Sequence, residues 1–436
     1  MQTDNPFVLK EQGDQALQRG DMAQALALYD QAIALRPQYA MAHYQRGDVL
    51  LRQQKTVAAA GAFWQGYLFS QFRKEMGLMA GRALTMSSLA LEACAVFEKI
   101  PVEEMDELSL LYFMDALRQE ARVREAYALL PRVSQRSHLA DLTRGAILLD
   151  MGLVNEAVGW LEPLEAADAT GHVADRLVAV YLAQSDWTKL KTMLDRAIER
   201  VRHTDYYRCV RLEIDILEGK IPEDLSALRT LDRYDIIDAA LYLHEKVDDN
   251  LQFTGTSYQT FDTLAPKVSS EGLILEFGVR NGHSTHRLAE LFPKRTVYGF
   301  DSFQGLPEAW HEEAAGSYTT MGRIPKLPAN VELVRGWFED TLPGFVAAHP
   351  EPVALMNVDC DIYSATVTIF RELDRQIVPG TIIVFDEYIG NKTWREDEFK
   401  AFQEWVSANG IRYRYVTASP YTKQVSVEIL ERGAST

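Results

Sequence analysis

The chain has 436 residues, a length that allows two or three domains with separate cores and argues against one compact domain. Its 45 lysines and arginines against 62 aspartates and glutamates give a formal net charge of −17. This balance argues against a sequence-independent nucleic-acid binder, which needs a cationic surface, and the hydrophobic fraction of 47% excludes global disorder.

The sequence carries no sign of secretion or of a membrane span. Its start lacks the basic and apolar regions of a signal peptide, and nowhere do about 18 uncharged apolar residues run together, as a spanning helix requires. The cysteines Cys94, Cys209 and Cys360 lie far apart, which gives no support for a disulfide framework or a zinc site. We therefore expect a cytoplasmic protein.

The N-terminal part shows a helical repeat. Apolar residues at helical spacing between Gly13 and Pro37, interrupted at Gly20, predict two helices joined by a tight turn. Three positions recur 34 residues later: Gly13, Ala25 and Tyr29 correspond to Gly47, Ala59 and Phe63. Small residues let two antiparallel helices approach, and a large residue one turn on fills the gap beside them.

A period of 34 residues is that of tetratricopeptide repeats, which this segment resembles. A less regular copy follows at Gly145, Ala157 and Leu161, and the resemblance covers roughly residues 8–200. It implies an array that binds a protein partner, or one that only packs on the rest of the chain or forms a homodimer. We predict a repeat domain at residues 1–200, a helical linker or cap at 201–265 and a further domain at 266–436.

The C-terminal part alternates predicted strands and helices. The strands are LILEFGV, TVYGFD, VELVRG, ALMNVDCD and TIIVFDEY, and the intervening helices include HSTHRLAELF and YSATVTIFRELDRQIV. This alternation predicts an α/β domain with a doubly wound, Rossmann-like parallel sheet, whose ligands bind at the carboxyl ends of the strands.

The first of these strands ends in a glycine turn. Glu276, Gly278 and Gly282 form E-x-G-x-x-x-G rather than the dinucleotide fingerprint G-x-G-x-x-G. An acidic residue here repels a pyrophosphate and suits an ammonium group or a ribose hydroxyl, although an ordinary strand-to-helix turn has the same pattern. Ser284 and Thr285 are expected to meet a ligand carboxylate or to cap the helix.

The next two strand ends extend this ligand site. Asp301 follows Glu276 by 25 residues, about one strand, helix and strand, and is placed to accept hydrogen bonds from ribose hydroxyls. The third strand ends in aromatic residues that suit an adenine. The order amino acid, ribose and base is that of S-adenosylmethionine. The candidate cofactor-binding residues are Glu276, Gly278, Gly282, Ser284, Thr285, Asp301, Ser302, Gly336, Trp337 and Phe338.

Two further strand ends carry carboxylates. Asp359 and Asp361 end one strand, and Asp386 and Glu387 end the next. Converging carboxylates repel one another unless a cation binds, and oxygen ligands suit Mg²⁺. The alternative is that these acids are solvated loop residues or helix caps, which applies most readily to Asp361.

Five segments together resemble the class I S-adenosylmethionine-dependent methyltransferases, specifically the macrocin O-methyltransferase group that methylates sugar hydroxyls. They are LEFGVRNGHST, VYGFDSFQGLP, VELVRGWFEDTLP, NVDCDIYSATVTIFREL and PGTIIVFDEY, within residues 235–430. The resemblance implies Asp359, Asp386 and Glu387 as metal ligands and Asp359 as general base, and it leaves Asp361 to hold substrate or a neighbouring backbone group. His311, in a segment predicted to cover the substrate, is a second base candidate.

The leading hypothesis is therefore a methyltransferase that uses S-adenosylmethionine and Mg²⁺ and acts on a sugar hydroxyl of a glycan or a glycosylated natural product. One alternative is a repeat scaffold with a vestigial methyltransferase domain. Another is a methyltransferase that modifies a protein held by the repeats.

Overall fold

The computed structural model describes residues 5–201, 204–246 and 251–433. The chain divides into two compact units, Met1–Ile147 and Leu148–Thr436. The predicted domain boundaries at residues 200 and 265 stay predictions.

The described residues of the first unit are helical. Its α-helices are α1 (Pro6–Gln18), α2 (Met22–Leu35), α3 (Ala40–Arg52), α4 (Thr56–Phe69), α5 (Lys74–Met86), α6 (Ala90–Phe97), α7 (Glu107–Gln119), α8 (Val123–Leu129) and α9 (His138–Asp150), the last of which crosses the division. Short 3-10 turns lie at Val102–Glu104 and Leu130–Arg132.

The glycines of the repeat allow close helix packing, as the sequence predicts. A Cβ atom added to Gly13 on α1 would lie 2.5 Å from the ring of Tyr29 on α2. At Gly47 on α3 it would lie 2.9 Å from the ring of Phe63 on α4. Because real Cβ contacts are longer, a side chain at either position would require the facing ring or its helix to shift.

A third copy of the same contact follows after a further 34 residues, and the sequence analysis did not identify it. A Cβ atom on Gly81 of α5 would lie 2.5 Å from the ring of Phe97 on α6, and Ala93 is fully buried. The regular period thus extends over α1–α6.

The second unit begins with helices and continues with an α/β fold. Its elements are α10 (Val154–Leu161), α11 (His172–Ala183), α12 (Trp187–Arg200), α13 (Thr204–Leu217), α14 (Tyr234–Lys246), β1 (Gln252–Phe253), α15 (Ser257–Leu264), β2 (Leu273–Phe277), α16 (His283–Leu291), β3 (Val297–Asp301), β4 (Val331–Arg335), α17 (Phe338–Ala348), β5 (Val353–Val358), α18 (Tyr363–Leu373), β6 (Ile382–Phe385), α19 (Glu398–Asn409), β7 (Arg412–Ala418) and β8 (Val425–Glu431). Short 3-10 turns lie at Glu162–Ala167, Leu228–Thr230 and Ala265–Lys267.

The eight described strands form one sheet in the order β1-β7-β8-β6-β5-β2-β3-β4. All pairs are parallel except the two that β8 makes with β6 and β7. The chain runs outward from β2 through β3 and β4, and then restarts at β5 on the other side of β2. This reversal is the point at which doubly wound sheets bind ligands.

The sheet is buried on both faces. Leu275, Met356 and Ile383 belong to a core that includes residues of α14, α17, α18 and α19. Ile274 and Leu355 belong to a second core with residues of α15 and α16. Strands buried on both faces are typical of parallel sheets and explain the continuous apolar runs of the sequence. The predicted doubly wound α/β architecture is confirmed.

Helices of the second unit pack directly on the sheet domain. The side-chain amide of Gln259 donates to the carbonyl oxygen of Ala183 at 2.8 Å, and the hydroxyls of Tyr242 on α14 and Tyr415 on β7 hydrogen-bond to each other. Among the described helices, none combines the length and the apolar character needed to cross a membrane.

Candidate functional site

A cavity of about 640 Å³ opens at the carboxyl ends of β2 to β6. It is lined by Gly278, Arg280, Asp301, Ser302, Gly305, Leu306, Pro307, Glu308, Trp310, Tyr318, Gly336, Trp337, Phe338, Glu339, Asp359, Cys360, Asp361, Ser364, Ala365, Thr368, Arg371, Asp386 and Glu387. Six of the ten predicted cofactor-binding residues and all four predicted strand-end carboxylates are in this set. The volume is typical of a small-molecule site.

Asp301 ties two strand ends together on one side of the cavity. Its Oδ2 accepts hydrogen bonds from the backbone N–H groups of Val279 at 2.9 Å and Arg280 at 2.7 Å. Its Oδ1 accepts one from the N–H of Phe303 at 2.6 Å. The carboxylate therefore organises the turn after β2 as well as lining the cavity.

The glycine turn allows the ends of β2 and β5 to meet. Gly278 has a φ of +96°, and a Cβ atom there would lie 1.8 Å from the carbonyl oxygen of Asp359. Gly282, with a φ of +84°, is the N-cap residue of α16, and a Cβ atom there would lie 2.5 Å from the Leu327 side chain. Both positions therefore require glycine for steric reasons within the protein.

Glu276 lies beneath the turn and does not line the cavity. It is fully buried, and one carboxyl oxygen accepts from the hydroxyl of Ser284 at 2.6 Å and from the amide of Asn357 at 3.0 Å. Its Oε2 has no hydrogen-bond partner within the described residues. Burial raises the pKa of Glu276 to about 8, although the two hydrogen bonds act in the opposite direction.

Three other predicted residues also lie outside the cavity wall. Gly282 and Ser284 take part in the contacts just described. Thr285 is buried, and its hydroxyl has no partner among the described residues. The direct cofactor contacts predicted for Glu276, Gly282, Ser284 and Thr285 stay predictions, and the structure places these residues behind the wall.

Asp359 and Asp361 lie on the opposite side of the cavity. In the part of the chain that the structure describes, no side chain or backbone group donates a hydrogen bond to either carboxylate. Burial raises the pKa of Asp359 well above its usual value, and repulsion from Asp386 and Asp361 adds to the shift. Burial, and then repulsion from Glu387 and Asp386, raises the pKa of Asp361 to about 7.

Asp361 also has an unusual backbone conformation. Its φ of +65° is in the left-handed region, which aspartate tolerates better than most residues. The chain therefore turns at Asp361 rather than continuing as a strand, and both carboxylates line the same cavity.

The pair after β6 is held by protein donors. Gln424 donates to Oδ1 of Asp386 at 2.6 Å. Lys423 approaches both carboxyl oxygens of Glu387, at 3.1 and 3.0 Å. Lys423 and Gln424 were not predicted from the sequence, because no pattern in it indicated the hairpin that carries them.

These residues partly fit a hard divalent cation. The carboxylate oxygens of Asp359 and Asp361 lack donors, and Asp386 shares their cavity, so oxygen donors and uncompensated charge are both present. However, among the described residues no group of three or more His, Cys, Asp or Glu side chains is arranged to hold a metal ion. The donor atoms are of the type that Mg²⁺ prefers, but the described residues are not arranged to hold the ion, and Lys423 already pairs with the predicted ligand Glu387.

A segment without regular secondary structure forms the outer wall. It contributes Glu308, whose carboxylate accepts from the hydroxyl of Ser364 at 2.7 Å, and Tyr318, whose ring lies 4.9 Å from the Arg280 guanidinium. His311 does not line the cavity. Its ring nitrogens lie 3.2 Å from the hydroxyl of Thr393, so its role as a base stays a prediction.

Comparison with known proteins yields two family matches. Residues 275–388 match a family described as a methyltransferase domain, and residues 13–54 match a TPR repeat family. The first match runs from within β2 to the residues after β6 and therefore includes the strand ends around the cavity.

Curated relatives cover only part of the chain. A tetracenomycin-C 4'-O-methyltransferase of Streptomyces olivaceus, named for a dimethoxy-rhamnosyl compound, is 29% identical over 32% of this chain and 59% of its own length. Mycinamicin III 3''-O-methyltransferase of Micromonospora griseorubida is 28% identical over 22% of this chain and 44% of its own. The chain thus spans about half the length of the curated relatives it matches.

Solved structures include similar proteins for each part. A calicheamicin methyltransferase is 21% identical, with a TM-score of 0.30, over 47% of this chain and 86% of its own. A TPR protein with an unusual peptide-binding site is 18% identical, with a TM-score of 0.33, over 36% and 84%. Residues 13–54 are therefore similar to a TPR repeat, and residues 275–388 are similar to a methyltransferase domain.

Proposed function

We propose that this chain is an S-adenosylmethionine-dependent O-methyltransferase that acts on a sugar hydroxyl of a glycan or a glycosylated natural product and takes Mg²⁺. One observation carries the proposal: a single cavity has Asp301, Trp337 and Phe338 on one side and Asp359 and Asp386 on the other. The first group suits a nucleoside, and the second suits an acceptor hydroxyl with a cation.

The cofactor half is supported by its charge and shape. Asp301 has its carboxylate at the end of β3, where it is placed to accept ribose hydroxyls, while the aromatic rings of Trp337 and Phe338 offer a surface for a base. Glu276 acts from below, because its bonds to Ser284 and Asn357 fix the turn that such a ligand would contact.

The acceptor half is supported by the unpartnered carboxylates. When bound, S-adenosylmethionine supplies an electrophilic methyl group, and Mg²⁺ lowers the pKa of a coordinated hydroxyl. Asp359 is our candidate general base, because its raised pKa favours holding a proton and no protein donor competes for its oxygens. The names of the relatives, which include a rhamnosyl compound, support a sugar as acceptor.

The helical array supports a further part of the proposal. TPR-type arrays bind protein partners or assemble, and either role suits helices α1–α6. A cytoplasmic location and the absence of a nucleic-acid partner stay predictions from the sequence.

Cofactor binding provides the first test. Calorimetric titration of the full chain with S-adenosylmethionine should show binding, and Asp301→Asn should weaken it at least about tenfold because the variant loses a charged acceptor. Asp340→Asn, which removes an exposed carboxylate of α17 outside the cavity wall, is the matched control. No binding by the wild-type chain at millimolar cofactor favours the repeat scaffold with an inactive domain.

Transfer to an acceptor provides the second test. The full chain should move a labelled methyl group to small glycosides bearing a free sugar hydroxyl, and chelation by EDTA should abolish the transfer. Transfer that occurs only to a protein favours the alternative in which the repeats hold a protein substrate. Transfer that EDTA leaves unchanged contradicts the Mg²⁺ requirement.

A further inference from the structure

A second cavity, of about 150 Å³, lies within the second unit between its helices and the turn that joins β7 to β8. Its apolar wall comes from α11, α13 and α14 and consists of the buried residues Val178, Leu182, Val210, Ile214 and Ile236. The turn contributes Pro420 and Tyr421 on the opposite side. A cavity of about this volume with apolar walls holds a molecule of the size of benzene.

Glu213 on α13 is the only acidic residue among those that line this cavity, and it is 3% exposed. In the described part of the chain, no group donates a hydrogen bond to its carboxylate, and no lysine or arginine lies within ion-pair distance of it. Burial raises the pKa of Glu213 to about 8, while Arg233 acts to lower it and Asp235 to raise it. A carboxylate that is buried without a partner is unfavourable, so this side chain lacks the donor and the positive charge that its position requires.

The two cationic side chains that line the cavity are engaged by other groups. The Arg233 guanidinium donates to the Asp235 carboxylate at 2.8 Å and to the carbonyl oxygen of Gly390 at 3.1 Å. The Lys423 ammonium pairs with Glu387 at 3.0 Å. The cavity therefore has one carboxylate without a counter-charge, which attracts a monovalent cation and repels an anion. A divalent metal ion does not fit, because it takes several oxygen ligands.

We propose that this cavity binds a small primary aliphatic amine in its ammonium form, with the ammonium group on the Glu213 carboxylate and the alkyl chain against the apolar wall. An ammonium group carries three hydrogen-bond donors and one positive charge, which are what the carboxylate lacks. The alkyl chain gains from leaving water for an apolar surface. This site is separate from the cavity at the strand ends, and the inference does not depend on the proposed methyl transfer.

The test is calorimetric titration of the full chain with n-butylamine at about pH 8, where Glu213 is partly ionised and the amine, like a lysine side chain, is protonated. We expect saturable binding of one molecule to the wild-type chain. Glu213→Gln keeps the shape of the side chain and removes its charge, so it should weaken binding at least about tenfold. Glu199→Gln, which removes an exposed carboxylate of α12 outside the cavity wall, is the matched control and should bind as the wild-type chain does.

A second probe separates charge from shape. The alcohol n-butanol has the same alkyl chain without the charge, and we expect it to bind the wild-type chain at least about tenfold more weakly than n-butylamine. Because this comparison needs no variant, it decides the question even where Glu213→Gln fails to fold, which circular dichroism reports.

Three outcomes overturn the inference: no binding of n-butylamine by the wild-type chain, binding that Glu213→Gln leaves unchanged, and equal affinities for n-butylamine and n-butanol. The second outcome assigns the amine to another acidic surface, such as the cavity at the strand ends, and the third assigns it to the apolar wall alone. Titration of the same preparations with S-adenosylmethionine tests the methyltransferase proposal separately, because that ligand is proposed for the other cavity.

Discussion

Gly278 and Asp359 are in direct backbone contact: a Cβ atom on Gly278 would lie 1.8 Å from the carbonyl oxygen of Asp359. The glycine of the turn after β2 thus allows the end of β5 to approach. It follows that the side of the cavity with Asp301 and the side with Asp359 both depend on this close backbone contact.

Replacement of Gly278 should distort both the Asp301 side and the Asp359 side of the cavity. Gly278→Ala combines a left-handed φ with a backbone clash, and we expect it to lower the free energy of unfolding by about 2–4 kcal/mol and to abolish cofactor binding. Urea denaturation and calorimetric titration are the measurements. Gly344→Ala on α17, where a Cβ meets no atom within 4 Å, is the control and should be neutral or slightly stabilising. Equal stability of the two variants would show that the contact is not tight.

The buried carboxyl of Glu276 should make stability depend on pH. Its pKa is raised from the usual 4.5 to about 8, so the folded protein holds a proton that the unfolded chain releases between these values. The contribution of this carboxyl to the free energy of unfolding is therefore fully present below about pH 4.5. It is lost as the pH rises toward about 8, by up to about 1.4 kcal/mol per pH unit.

Glu276→Gln isolates this contribution, because glutamine imitates the protonated carboxyl. Unfolding free energies of both proteins at about pH 5 and about pH 8 should show a smaller loss in the variant. A variant whose stability falls as steeply as that of the wild-type chain would assign the slope to other acids.

A side chain at Gly81, in the third repeat contact, should destabilise the protein. In Gly81→Ala the new methyl group meets the ring of Phe97 at 2.5 Å, so we expect a loss of about 1–3 kcal/mol. Gly61→Ala, on α4 with open space around it, should be neutral or stabilising by up to about 1 kcal/mol. Circular dichroism during thermal unfolding compares the two. A stable Gly81→Ala would mean that the Phe97 ring moves aside without cost.

The hydroxyl of Tyr415 should stabilise the contact between α14 and the sheet. It hydrogen-bonds to the hydroxyls of Tyr242, Tyr388 and Tyr413 within the second unit. Tyr415→Phe leaves these groups short of a partner in a buried place, which we expect to cost about 1–3 kcal/mol. The exposed Tyr127→Phe is the control, and denaturant titration is the measurement. If Tyr415→Phe and the control lose the same free energy of unfolding, water replaces the lost hydrogen bonds at the tyrosine cluster.

Local patterns predicted the elements well. The 34-residue spacing of Gly13 and Gly47 reports a contact between neighbouring helices, so it is visible in the sequence. The strand ends at Asp301 and Asp359 were predictable for a similar reason, since each follows an apolar run and parallel strands place their carboxyl ends on one edge. The helical repeats and the parallel sheet could therefore both be predicted from patterns within short stretches of sequence.

The position of individual side chains was less accessible. Glu276 and Asp301 both lie near the end of an apolar run, yet one lies under the turn and the other lines the cavity. Glu276 is inside β2, opposite Gly299, and is therefore two residues deeper in the sheet than Asp301 at the end of β3. The contact between Lys423 and Glu387 joins residues 36 positions apart and depends on β8 pairing antiparallel between β6 and β7. No periodicity in the sequence reports that pairing.

The position of β8 in the sheet also limits when the sheet can be completed during synthesis of the chain. This strand is the last of the eight to emerge from a ribosome, yet it separates β6 from β7 and delivers the turn that reaches Asp386 and Glu387. A nascent chain that stops short of residue 425 leaves a gap in its sheet. The acidic cavity therefore forms with its lysine only after translation has passed this point, which delays any ligand-binding state until then.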